Sequence, residues 1–371
     1  MYNNLKFLFV ATCLFAGGLA AQVSKNPFIK QNTVITTTVK DQGQTGTCWG
    51  FSTASFLESE LIKSGMKDLD LSEMFIVRKV YLEKGINYIR YHGKSNFSQG
   101  ALAHDLVNAY AKYGALPESV YSGKINGEKH NHDALEKELK DYLDTVLSKN
   151  TIEPHWKDQF EAILDRHMGP VPASFSLPEG VYTAKTYAEQ VLKLKANDYV
   201  SITSFSHHAY NESFILEVPD NWSNGSFVNV NLSDMMGVVN SAIQNGYSIE
   251  WDGDVSEPGF RADLGIALFV NKREDLKDIN KLPAERMITA STRQTEFDNH
   301  ATTDDHLMHI TGIYTDPEGN AYYEVKNSWG NKVGFNGYLY MSDKYFQMKT
   351  VSIMVNKKAI PDEIKTATGI N

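Results

Sequence analysis

Hydrophobic residues recur with two different spacings along the chain, and the change of spacing divides the sequence. In the first half they fall at the three- and four-residue intervals of amphipathic helices. The sequence predicts helices over residues 48–65, 72–89, 99–114 and 183–194, and a charged helical pair over 133–167 that is interrupted near Pro154. An extended segment over 32–42, rich in Thr and Val, is suited to a strand.

The second half has the pattern of β-structure. Between residues 196 and 357 the apolar runs are short, rich in β-branched and aromatic residues, and separated by Gly, Asn, Asp or Pro. A helical half followed by a mostly antiparallel β half predicts an α+β protein with two lobes.

The first 21 residues differ from both halves. A single basic residue, Lys6, precedes an apolar run from Phe7 to Phe15, and small residues follow up to Ala21. This order is typical of a secretory signal peptide, and the run is too short for the roughly 20 apolar residues of a membrane-spanning helix. We therefore expect export to the periplasm or the extracellular space, with no membrane span. Lipidation at Cys13 is the alternative, although this cysteine lies inside the apolar run.

The charge and the cysteine content limit the classes of function that fit the chain. The net charge is −9 without a basic run, so nucleic acid is not an expected partner. Removal of the signal peptide would leave Cys48 as the single cysteine, either as a small buried hydrophobe or as a reactive thiol. Cys48 lies in the first turn of a predicted helix, where unpaired N–H groups and the helix dipole favour a thiolate. Its position therefore indicates a nucleophile.

A cysteine nucleophile needs a base, a group that orients the base, and donors for an oxyanion. His306, in "TTDDHLMHITGIY", begins one predicted strand, and Asn327 and Trp329, in "VKNSWGN", end the next. The imidazole and the amide can face one another, with Trp329 shielding their hydrogen bond from water. His309 is the alternative base, but its odd offset from His306 places it on the other face of the strand.

The segments "QGQTGTCWGFS", "HLMHITG" and "KNSWG" together resemble the papain-like cysteine peptidases. The nucleophile signature of that family is C-G-[SA]-C-[WY]. Here the matching span runs from Thr45 to Trp49, so Thr45 replaces the first cysteine of the signature and its disulfide is absent. This departure leaves the chemistry of Cys48 intact.

The resemblance assigns roles to six residues. The implied catalytic set comprises the nucleophile Cys48, the base and acid His306, the orienting amide Asn327, and Gln42, which completes the oxyanion hole with the Cys48 backbone N–H. The implied substrate-binding residues are Gly100, over which a substrate backbone would pass, and Trp329. The resemblance implies neither a cofactor nor a metal, and the adjacent His207 and His208 are interpreted as loop residues.

Spacing selects a branch within the family. The interval from Cys48 to His306 is almost twice the roughly 130–150 residues of papain and the cathepsins. The segments "LVNAYAKYGALPES", "RHMGPVPASF", "AIQNGYSIEWDGDV" and "VNKKAIPDEI" occur in the order found in bleomycin hydrolase, known in bacteria as aminopeptidase C. The resemblance to this branch spans essentially the whole chain after the signal segment.

The branch implies a papain-like fold of two lobes. Residues 22–195 would form a mainly helical lobe with a helical insertion at about 130–195, and residues 196–357 an antiparallel, β-barrel-like lobe. Residues 358–371 would form a C-terminal tail. In this branch the terminal carboxylate of the tail enters the cleft and anchors the free amine of the substrate, and several members form hexameric rings. The tail here is shorter, which argues against both features.

The implied function is a cysteine peptidase that acts on peptide substrates through a thioester, with aminopeptidase specificity. Three alternatives stay open: an endopeptidase with an open cleft, a thiol amide hydrolase or acyltransferase acting on non-peptide substrates, and an inactive binding module. The intact set of nucleophile, base, amide and oxyanion donor argues against the last.

Overall fold

The computed structural model describes residues 26–125 and 129–371. The predicted export signal, residues 1–21, lies outside the described residues. Among the described helices, none is long and apolar enough to cross a membrane. The predicted lobe boundaries stay predictions, since the fold below is one connected arrangement of helices and sheet.

The helices predicted in the first half are present with closely similar bounds. They are α1 (Cys48–Lys63), α2 (Glu73–Arg90), α3 (Ala103–Tyr113), α4 (Asp133–Leu147) and α5 (Trp156–Met168). The short helix α6 (Ala184–Tyr187) continues as a π-helical turn over Ala188–Leu192 and replaces the longer helix predicted there. Helix α1 is buried along its length from Cys48 to Leu61, because it lies between the other helices and a large sheet.

The sheet contains eleven strands in the described part of the chain. These are β1 (Ile29–Thr33), β4 (Tyr199–Thr203), β5 (Ser213–Ile215), β6 (Ser226–Asn229), β7 (Ile249–Gly253), β8 (Phe260–Arg261), β9 (Ile266–Ala267), β10 (His306–Thr315), β11 (Ala321–Lys326), β12 (Tyr338–Ser342) and β13 (Thr350–Asn356). Strands β2 (Phe175–Leu177) and β3 (Gly180–Tyr182) form a separate hairpin. The strand order is β5-β6-β4-β13-β7-β10-β11-β12-β9-β8, with β1 also paired to β10.

The predicted α+β, papain-like fold with a mostly antiparallel β part is confirmed. Among the strands that the structure describes, only the pairs β4–β6 and β9–β12 are parallel. The β part is an open sheet rather than a closed barrel in the described residues, because β5 and β8 lie at opposite ends of the strand order. The sequence therefore predicts the antiparallel strands of the β part correctly, but the described sheet does not close into a barrel.

Several elements were missed within the predicted β half. They are helices α7 (Leu232–Gln244), α8 (Ala290–Asp298) and α9 (Asp343–Lys349) and strand β13, and helix α10 (Asp362–Thr368) follows. Helix α7 has a buried face of Met235, Val238, Val239, Ala242 and Ile243. Asn231 caps the helix by accepting a hydrogen bond from the Asp234 backbone N–H at 2.9 Å. This helical signal was overlooked between strand-like segments.

The strand predicted over 32–42 begins earlier and is shorter, since β1 ends at Thr33. The chain then crosses from β10 towards α1. Backbone hydrogen bonds from Gln42 N–H to Ser328 O and from Gly330 N–H to Lys40 O tie it to the segment after β11. These bonds bring Gln42 beside the predicted Asn327.

The sheet has helices on both faces. Leu307 and Val351 on one face join the core around α1, whereas Met308 and Ile353 on the other face pack with α7, α9 and α10. The start of β10 and the start of α1 therefore meet at the junction between the helical and β parts. Any chemistry that joins Cys48 to His306 must occur at this junction.

The C-terminal helix lies at the other end of the sheet. His306 is the register partner of Gly253, which also pairs with Thr350 at the start of β13. The chain leaves β13 at Asn356 and reaches α10, where Ile364 packs against α7. The last described residues therefore lie away from His306.

Candidate active site

His306 and Asn327 are held together at the junction. His306 is the first residue of β10, and Asn327 directly follows the neighbouring strand β11. Their side chains form a hydrogen bond of 2.9 Å between His306 Nε2 and Asn327 Oδ1. The ring of Trp329 lies against the imidazole with a centroid distance of 4.8 Å. The three side chains therefore lie together at the junction.

The hydrogen-bond partners of Asn327 fix the tautomer of His306. Asn327 Oδ1 also accepts the Ser328 backbone N–H at 2.7 Å, which identifies it as the amide oxygen. An amide oxygen can only accept, so His306 Nε2 must donate its proton. In the neutral ring, Nδ1 is then the unprotonated nitrogen, as a base requires.

Cys48 starts α1 and lies against the first residues of β10. The backbone N–H groups of Leu307 and Trp49 both point to its sulfur and favour the thiolate. Burial has the larger effect, since only 8% of the residue is exposed, and it raises the pKa of the thiol to about 12. The pKa lowering expected from the helix start is therefore outweighed by desolvation.

Burial also governs the imidazole. It lowers the pKa of His306 to about 4, against the opposing effect of the Asn327 hydrogen bond. Burial therefore opposes both charged forms, the thiolate of Cys48 and the imidazolium of His306.

Gln42 lies in this site with its side chain held at both ends. Its Nε2 donates to Thr45 O at 2.7 Å, and its Oε1 accepts from Ser328 Oγ at 2.5 Å. The second Nε2 hydrogen is available for a substrate oxygen. Ser328 was missed by the sequence analysis, although it lies between Asn327 and Trp329 in the quoted motif "KNSWG".

His309, the alternative base, is separated from the other site residues. It is fully buried under α1, where its Nδ1 lies 2.9 Å from Ser55 Oγ. Lys326 Nζ donates to the same hydroxyl at 2.8 Å. Burial and the charge of Lys326 hold the pKa of His309 well below its usual range. His309 therefore belongs to the buried polar layer under α1.

Gly100, a predicted substrate-binding residue, has a neighbour that the sequence did not indicate. Asp220 lies directly over its α-carbon, so any side chain at position 100 would overlap the Asp220 carboxylate. The glycine is therefore required by a side chain of the same protein. Its contact with a substrate stays a prediction.

His207 and His208 lie on the segment after β4, in agreement with a loop assignment. Both Nε2 atoms contact Glu217, at 3.1 and 2.8 Å. Gln294 Nε2 lies 3.1 Å from His207 Nδ1, while the oxygen of the same amide accepts from the Ser206 backbone N–H. His207 Nδ1 is therefore an acceptor, and its Nε2 carries the proton. This tautomer suits a hydrogen bond from Nε2–H to the Glu217 carboxylate. A metal bound at Nε2 would need the other tautomer.

Two family models match the chain. The model described as Peptidase C1-like family matches residues 177–370, and that described as Papain family cysteine protease matches residues 27–225. Each match covers more than half of the chain. The chain belongs to the papain-like cysteine peptidases. The resemblance predicted from the sequence motifs is confirmed.

This papain-like peptidase is similar to several proteins of other organisms. Aminopeptidase C of Lactobacillus delbrueckii subsp. lactis is 23% identical over 90% of this chain and 82% of the relative. Aminopeptidase C of Listeria innocua is 24% identical over 98% and 91%. The mitochondrial cysteine proteinase 1 of Saccharomyces cerevisiae is 21% identical over 90% and 78%.

A solved structure shares the fold of the peptidase. The crystal structure of PepW from Lactobacillus rhamnosis HN001 has a TM-score of 0.71 at 20% identity, and covers 92% of this chain and 84% of that chain. The likeness extends over nearly all the described elements. It shows a common fold.

Proposed function

We propose that this papain-like peptidase is a cysteine aminopeptidase that releases residues from the N-terminus of peptides. The observation that carries the proposal is the hydrogen bond of 2.9 Å from His306 Nε2 to Asn327 Oδ1, which leaves Nδ1 as a base at the junction where Cys48 lies. The names of the relatives, aminopeptidases C among them, support the specificity for N-terminal residues.

The proposed reaction has two acyl-transfer steps. The sulfur of Cys48 attacks the scissile carbonyl carbon while its proton moves to His306 Nδ1. Gln42 Nε2–H and the Cys48 backbone N–H stabilise the oxyanion. The C–N bond then breaks, the imidazolium protonates the leaving amine, and a thioester remains on Cys48.

Hydrolysis of the thioester restores the enzyme. A water gives a proton to His306 Nδ1 as its oxygen attacks the thioester carbonyl. The C–S bond breaks, the sulfur regains the proton from the imidazolium, and the carboxylic acid leaves. Asn327 holds the imidazole of His306 in one orientation through both steps. Trp329 covers the hydrogen bond between Asn327 and His306.

A comparison of free and blocked peptides tests the function. We expect the purified protein to react with a thiol-directed epoxide at Cys48 and to cleave fluorogenic aminoacyl amides with a free amine. The same amides with an acetylated amine should be cleaved at least tenfold less efficiently. The measurement is kcat/KM for each pair of substrates under reducing conditions, with a Cys48→Ala variant as the control.

The other outcomes identify the alternatives. Equal or faster cleavage of blocked peptides would indicate an endopeptidase with an open cleft. Epoxide labelling without cleavage of any peptide would favour a thiol amide hydrolase or acyltransferase for non-peptide substrates. If the protein shows neither epoxide labelling nor turnover, an inactive binding module is the alternative that remains.

We propose in addition that the chain is exported. The support is the order of Lys6, the apolar run from Phe7 to Phe15 and the small residues up to Ala21. When the full chain is expressed in a bacterium, the mature protein should be found outside the cytoplasm and begin near residue 21 or 22. Cell fractionation with mass spectrometry of the N-terminus measures both. An intact Met1 in a cytoplasmic product would contradict the proposal.

A further inference from the structure

Three acidic residues near the active site interact with one another, and the proposed mechanism uses none of them. They are Asp220, Asp252 and Asp304. The charges of Asp220 and Asp252 act on the Cys48 thiol, and Asp304 acts on both of these acids. Each comes from a different part of the sheet: the loop between β5 and β6, strand β7, and the segment before β10. We call these three residues the acidic group.

Asp252 provides a buried and unpartnered oxygen. The residue is 1% exposed, and its Oδ2 accepts from Ser352 Oγ at 3.1 Å. Its Oδ1 is buried without a hydrogen-bond partner among the described residues. Asp252 is the register partner of Leu307, whose N–H points to the Cys48 sulfur. The unpartnered oxygen therefore belongs to a residue of β7, the strand next to β10, and β10 carries the Leu307 N–H that faces Cys48.

Asp220 is held over the site by its loop. Its backbone N–H donates to Asp304 Oδ2 at 3.1 Å, and its carboxylate covers Gly100. The next residue, Asn221, braces the loop through hydrogen bonds to Leu216 O at 2.8 Å and to Gly225 at both its N–H and its carbonyl. The hydrogen bonds of the loop thus fix the position of the Asp220 carboxylate. Among the described residues, this carboxylate accepts one long hydrogen bond, from Asn96 Nδ2 at 3.3 Å.

The described surroundings do not neutralise the acidic group. Lys84 is the one cation among its main electrostatic neighbours, and its ammonium donates instead to Ser98 O at 2.8 Å, to Ser98 Oγ, and to Gly100 O. Three further acids face the group: Asp105 from α3, Glu250 from β7, and Asp305 next to Asp304. Burial and mutual repulsion raise the pKa of Asp304 to about 7, and also raise those of Asp220 and Asp252.

We propose that the acidic group binds the α-ammonium of the substrate's first residue and so fixes which peptide bond reaches Cys48. This inference rests on the proposed aminopeptidase function and adds the residues that recognise the free amine. In an N-terminal residue the amine is two bonds from the scissile carbonyl carbon. A carboxylate that binds this amine must therefore lie close to the nucleophile. Asp220 covers Gly100, and the preceding Gln99 accepts hydrogen bonds from the Gly46 N–H and from Trp49 Nε1, on either side of Cys48.

Asp220→Asn tests the inference with little change of shape. We expect KM for free-amine aminoacyl amides to rise at least tenfold, while kcat/KM for acetylated peptides stays constant or increases. Epoxide labelling of Cys48 should continue at an unchanged or higher rate, which separates failure of this inference from loss of the nucleophile. Asp362→Asn, a fully exposed acid on α10, is the matched control and should behave like the unmodified protein.

A second variant covers the case in which Asp220→Asn disturbs the loop. Asp304→Asn should produce the same selective loss, and it should also change the pH profile. An acid with a raised pKa binds a cation only once ionised, so kcat/KM for free-amine substrates should rise as the pH passes through about 7. Acetylated substrates should lack this rise, and Asp304→Asn should shift or remove it.

Two results would overturn the inference. One is an unchanged ratio of free to acetylated turnover in both variants. The other is a loss confined to acetylated peptides that carry Lys or Arg, which would assign the acidic group to a basic side chain instead. If the unmodified protein neither reacts with the epoxide nor cleaves any peptide, the proposed function itself fails.

Discussion

Alanine in place of His306 should lower kcat/KM by about 10⁴-fold or more, because this residue is asked to act as base in one step and acid in the next. Burial raises the pKa of the Cys48 thiol, so its attack depends on a partner that takes the proton. The loss should therefore be mainly in kcat. Steady-state kinetics on a free-amine aminoacyl amide measures it.

His309→Asn is the matched control. His309 bonds to Ser55 on the other side of β10, and an asparagine can keep a polar contact there. We expect a lower melting temperature, because the residue is fully buried, but kcat/KM within about tenfold of the unmodified protein at a temperature where the variant is folded. Loss of activity in His309→Asn, with activity retained in His306→Ala, would reverse the assignment of the base.

The two histidines show what strand periodicity can predict. The offset of three residues along one strand places them on opposite faces, and the structure has one bonded to Asn327 and the other to Ser55. The helix of Cys48 could be predicted for a similar local reason, since its apolar positions and its Gly65 boundary lie within one short stretch. Such features depend on neighbours in sequence.

The pKa of Cys48 could not be predicted in the same way. The helix start that favours a thiolate is a local feature, but the burial that outweighs it depends on how the rest of the chain packs around Cys48. The positions of Asp220 and Gly100 are more than a hundred residues apart, and no pattern in either segment announces their contact. Long-range placement of this kind is decided by the whole fold.

The missed helices have a different cause. The apolar face of α7 has ordinary helical spacing, and its cap residue Asn231 precedes it. Both signals are local, whereas the strand-like segments on either side favour β-structure for the whole half. The chain between β6 and β7 covers one face of the sheet. An amphipathic helix meets this requirement, because its apolar residues form a stripe along one side.

Gln42→Ala should lower kcat/KM by about 10²- to 10³-fold, the cost expected for one oxyanion donor, about 2.7 to 4 kcal/mol. The structure holds the Gln42 amide between Thr45 O and Ser328 Oγ, so its free N–H has one direction. Loss of a donor that acts on the transition state should appear in kcat rather than in KM. The epoxide should still label Cys48.

Ser328→Ala separates the donor from its support. Removing the hydroxyl frees Gln42 Oε1 without removing the donor, so we expect a loss of about tenfold or less, consistent with one hydrogen bond of about 1 kcal/mol. If Ser328 acts only through Gln42, the double variant should be no slower than Gln42→Ala alone. Additive losses would show that Ser328 acts independently, for instance through Asn327, whose Oδ1 accepts the Ser328 N–H. Unchanged kcat in Gln42→Ala would remove Gln42 from the oxyanion hole.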